Sequence, residues 1–128
     1  MQVVGALFVL SLVTYASASF SFAHRNPPHP DCADHGKYIT EHQVNEMNTG
    51  RATDNSIFRA HLVCVWKEKG AMNENGIFQK NYIKSNIAPQ ISNNPSDIKT
   101  ITNCAVQKSS PGESAYAFYK CIAPILAH

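Results

Sequence analysis

The sequence has little excess of charge of either sign. Lys and Arg number 11 against 9 Asp and Glu, a net charge of +2, and no basic stripe carries interleaved aromatics. Nothing therefore argues for a nucleic-acid partner. Catalytic signatures are missing too: no G-x-S-x-G, H-E-x-x-H or phosphate-cradling glycine loop occurs. The sparse carboxylates form no obvious acid pair, so His61 or His42 would need Asp54 or Glu46 brought close by the fold, and the chain reads as a non-enzyme. Strand-like alternation, repeats and low-complexity tracts are absent. The one near-sequon, Asn94-Pro95-Ser96, is blocked by its proline.

What is present begins with an apolar run from Val3 to Val13, followed by Ala16-Ser17-Ala18. The run is too short to cross a bilayer and carries the apolar core and small-residue cleavage site of a secretory leader. Residues 1–18 are thus expected to be a signal peptide, and residues 19–128 one exported domain with no membrane span. Export implies an oxidising compartment, where the even set Cys32, Cys64, Cys104 and Cys121 reads as disulfides.

The mature part reads as helices separated by turns. Three prolines between Arg25 and Pro30 exclude a regular helix there, and a short one over Cys32 to Lys37 is possible. Thr40 with Gln43 three residues on is a capping box opening a helix through Met47, closed by Asn48-Thr49-Gly50. Asp54 can cap a helix to Lys69, with Phe58, Leu62, Val65 and Trp66 on one face and Gly70 as its stop. Asn75-Gly76 is a turn, and a helix from Phe78 to Ile87 should be halted by Pro89. Pro95 suits the first position of the next helix, whose inner side is Ile98, Ile101 and Ala105. The last helix, Glu113 to Cys121, should end or bend at Pro124. The fold class is all-α: a compact bundle of five to six short helices.

Four cysteines allow three pairings, and spacing alone cannot choose among them. The stretch Ala60-His61-Leu62-Val63-Cys64-Val65-Trp66, running on to Met72-Asn73-Glu74-Asn75-Gly76, resembles the Cys-x3-Cys segment of insect odorant-binding proteins. Gly112 to Cys121 resembles that family's Cys-x8-Cys ending. The intervals agree, with 27 residues between Cys32 and Ala60 and 39 between Cys64 and Cys104. Family members pair six cysteines first with third, second with fifth and fourth with sixth. Ala60 and Gly112 stand where the second and fifth would be, so both ends of one bridge are missing, as in the four-cysteine "Minus-C" branch. The resemblance implies the bridges Cys32–Cys64 and Cys104–Cys121. It leaves the long helix joined to the last two by packing alone, a seam where the domain should breathe.

The resemblance also implies an internal apolar cavity for a small hydrophobic ligand. Its expected walls are Leu62, Trp66, Met72 and Phe78 from the first half, Ile98, Ile101, Phe118 and Ile122 from the second, and Tyr82 and Ile83. Without the resemblance, such residues on amphipathic faces are ordinary core. The implied role is a secreted, extracellular carrier of odorants or pheromones, a monomer or weak homodimer delivering to a chemosensory receptor. An extracellular interaction or defence protein on the same scaffold is the alternative. His61, beside the apolar face, is the candidate for a pH response, against a plain solvated histidine. His24, His29, Cys32 and His35 lack a convincing zinc spacing, and a disulfide at Cys32 would consume its thiolate. No metal or cofactor is expected.

Overall fold

The computed structural model describes residues 20–23 and 39–127. The leader, the short helix over Cys32 to Lys37 and the histidine cluster around Cys32 lie outside the described residues. Helix α1 (Glu41–Asn48) opens on the expected capping box. Thr40 Oγ1 accepts from the Gln43 N–H at 3.1 Å, and Gln43 Oε1 accepts from the Thr40 N–H at 2.8 Å. Its end turns at Gly50, whose φ of 74° suits glycine. A Cβ at that position would collide with the backbone carbonyl of Ala123. The turn is thereby seated directly on the last helix.

Helix α2 (Ser56–Lys69) begins one residue later than expected. Asn55, not Asp54, is its cap, accepting from the Phe58 N–H at 2.8 Å. Asp54 instead forms a two-pronged ion pair with Arg59, at 2.8 and 2.9 Å. That hydrogen bond holds the Asp54 carboxyl below its usual range. Gly70, at φ 86°, ends α2 in the left-handed conformation the sequence suggested.

The segment after α2 carries the one β interaction among the described residues, an isolated antiparallel bridge between Met72 and Phe78. Gln107 fixes it from outside. Its Oε1 accepts from the Phe78 N–H at 3.1 Å, while its Nε2 donates to Gly76 O at 2.8 Å. Helix α3 follows as a continuous run: Lys80–Tyr82, a π turn over Ile83–Ile87, and Ala88–Ile91. It does not stop before Pro89. In the widened turn the Ala88 N–H reaches back to Ile83 O, so the ladder is already interrupted where proline lacks its donor.

Helix α4 (Pro95–Asn103) starts at Pro95, as expected, and is capped by Asn94. Helix α5 (Pro111–Leu126) starts earlier than Glu113, on Ser110, which accepts from the Glu113 N–H at 3.2 Å. It also runs through Pro124. That residue lies in the last turn, and the carbonyl it would have served belongs to the exposed Lys120. Ile125 and Leu126 form the final turn and pack on the core. Cys104 and Cys121 are joined, with Cα atoms 5.7 Å apart, tying the end of α4 to α5. Cys64 is also disulfide-bonded; the expected pairing with Cys32 falls on a residue outside the described ones. The five helices enclose one apolar core, and α2 against α5 is its most extensive contact.

Candidate functional site

The interior of the bundle is a chain of aromatic rings. Trp66 on α2 lies 4.8 Å from Phe118 on α5, and Phe118 lies 5.2 Å from Phe78. On the other side Phe58 meets Tyr119 at 5.2 Å. These spacings are those at which ring edges and faces attract. Both polar tips are satisfied. The Trp66 indole N–H donates to Ala115 O at 3.3 Å. The Tyr119 hydroxyl donates to Met47 O at 3.0 Å and accepts from the Ala52 N–H at 3.3 Å. Burial pushes the Tyr119 phenol above its ordinary value, with the Ala52 N–H acting in the opposite direction. The ring therefore stays neutral and keeps its proton for Met47.

The seam between α2 and α5 is thus held by more than packing. Besides the Trp66 bond, the Arg59 guanidinium lies 4.3 Å from the centre of the Tyr116 ring. At Gly112 a Cβ would have no heavy atom within 4 Å, so the Ala60 methyl is farther than that.

Of the residues expected to wall a cavity, Leu62, Trp66, Met72, Phe78, Ile83, Ile101, Phe118 and Ile122 all belong to one buried cluster. The structure brings α2, the 72–78 bridge, the π turn, α4 and α5 together at this cluster. Ile98 is half-buried and sits in an open groove of about 510 Å³ with Lys84, Pro95, Lys99, Thr102 and Asn103. Tyr82 stands 46 % exposed. Its ring lies across Gly70, where a Cβ would come within 2.7 Å.

Sequence reasoning missed the residues that fill the centre from outside any helix. Phe22 is fully buried, 5.2 Å from Trp66 and 5.4 Å from Tyr119. Phe20 stacks on Trp66 at 5.6 Å. The signal was a Phe-x-Phe pair just ahead of the proline-rich stretch, apolar weight that a loop does not need. His61, the candidate titrating group, is also fully buried, and its Nε2 lies 2.9 Å from Phe22 O. A carbonyl only accepts, so Nε2 carries the hydrogen. His61 is therefore no solvated surface histidine.

Among the described residues no helix is long and apolar enough to cross a membrane. The chain matches the model of the PBP/GOBP family over residues 26–124. No curated protein and no solved structure matches it. The match spans most of the sequence, covering α1 to α4 and all but the last two residues of α5, and it agrees with the cysteine spacing. The chain belongs to the PBP/GOBP family, the insect odorant-binding proteins.

Proposed function

We propose that this chain is an exported carrier that takes a small hydrophobic molecule into the aromatic interior of its bundle. The family to which it belongs consists of small odorant- and pheromone-binding proteins rather than enzymes. That membership is the observation that carries the reading, and the continuous run of rings from Phe78 through Phe118 and Trp66 supports it. In this reading the leader is removed after Ala18. The buried members of the expected wall set form the lining, and the molecule carried is an odorant or pheromone released near a receptor.

An apolar ligand burying about 300 Å² gains roughly 7.5 kcal/mol gross. Ordering losses then leave affinities in the micromolar range. Titration with N-phenyl-1-naphthylamine, a fluorescent apolar probe, tests the proposal. A carrier gives a saturable blue-shifted signal that aliphatic alcohols, esters or aldehydes compete off. A linear, non-saturating signal overturns it.

A further inference from the structure

The residues Phe20, Ser21 and Phe22 belong to no helix, yet the bundle grips them as it would a bound peptide. The Phe22 N–H donates to Asn48 Oδ1 at 2.8 Å, at the end of α1. The Phe22 carbonyl accepts from His61 Nε2–H on α2 at 2.9 Å. The Phe20 N–H donates to Gln90 O at 3.3 Å, at the end of α3. Backbone groups normally find partners within secondary structure. Here side chains of two helices serve the one residue of this segment whose ring is fully enclosed, between Trp66 and Tyr119.

We propose that Phe20–Phe22 is a built-in occupant of the ligand site, a plug that an incoming ligand must displace. The proposal rests on the carrier reading above. Removal of the leader after Ala18 would leave Phe20 as the second residue of the chain, so withdrawing the plug disturbs only a terminus, where local opening is least costly. The groups it vacates define the ligand. Trp66 and Tyr119 offer ring faces, and His61 Nε2–H offers a donor that a ligand oxygen can accept from in place of Phe22 O. The ligand class is accordingly an aromatic or long apolar molecule bearing a carbonyl, favoured over the hydrocarbon of the same shape.

If the plug vacates the site in about one molecule in ten, apparent affinity is reduced about tenfold, and removing the rings restores it. The experiment compares the exported chain with its Phe20→Ala/Phe22→Ala variant by N-phenyl-1-naphthylamine titration, with circular dichroism to verify folding. The expected result is a variant that binds the probe about tenfold more tightly. The free peptide Ser-Phe-Ser-Phe-Ala should compete with it, and benzyl benzoate should displace the probe better than bibenzyl. Equal or weaker probe binding by a folded variant overturns the plug and leaves the carrier reading standing. No binding by either folded form overturns both. Should the variant fail to fold, amide exchange on the unaltered chain decides: probe saturation must expose the Phe22 N–H, and unchanged protection refutes the proposal.

Discussion

Replacing Tyr119 with Phe removes one oxygen from the point where α5 meets the turn between α1 and α2. The ring is 1 % exposed and would stay in place. What is lost is a donor to Met47 O and an acceptor for the Ala52 N–H. Met47 O keeps the Gly50 N–H at 3.1 Å, and half-buried Ala52 can turn partly to water. Neither partner is fully orphaned, so the cost is that of about one net hydrogen bond plus incomplete compensation, roughly 1.5 kcal/mol. For a domain of about 110 residues the unfolding entropy is about 230 cal/mol/K, which converts this to a fall in Tm of about 6 °C. Thermal melts followed by far-UV circular dichroism measure it. A second reading comes from pH. The folded phenol titrates above its unfolded value of about 10, so the folded state holds the proton longer. That contribution is complete below about pH 10 and declines as pH rises through the raised folded value. The stability gap between wild type and Tyr119→Phe should therefore narrow in strong alkali. A Tm shift below about 2 °C, or a gap that widens with pH, would refute the anchoring role of the hydroxyl.

Gly112 lies inside α5 with a negative φ and open space where a Cβ would go, so Gly112→Ala should stabilise by about 0.5–1 kcal/mol in urea unfolding. Gly50→Ala, with φ 74° and the Ala123 backbone in the way, should destabilise by about 2 kcal/mol or more, and equal effects at the two positions would contradict the geometry. Trp66 is the single tryptophan and fully buried, so native emission should be blue-shifted and move red in one cooperative step on unfolding. A red native spectrum would mean the ring cluster is not closed. Ala60→Cys/Gly112→Cys should form a bridge only as α5 closes on α2, since the gap between the two Cβ positions exceeds 4 Å. Ligand exchange should slow in that variant, and stopped-flow rates matching wild type would remove the seam as a gate.

The features legible in the sequence were those decided within a few residues. The Thr40–Gln43 box, the Gly70 stop and the Asn94-Pro95 start each satisfy orphan backbone groups locally, and each stands where it was read. The choice of Asn55 over Asp54 as cap was not legible, because Arg59 draws Asp54 away. Pro89 was misread as a barrier. Pro89 is admitted by a π turn and Pro124 by its place at a solvent-facing helix end. The faces of α2, α4 and α5 followed from periodicity, which located the core. Periodicity is blind to Phe20 and Phe22, whose burial depends on helices far along the chain.

The π turn in α3 also constrains how this segment can diverge. It holds one residue more than a regular helix of the same reach requires, and Ser85 and Asn86 within it are exposed. Losing either would restore an unbroken ladder, but it would trap the Pro89 ring against the carbonyl four residues before it. Losing Pro89 first does no such harm. The two changes are therefore tolerable in one order and damaging in the other, so the history of this stretch has a direction.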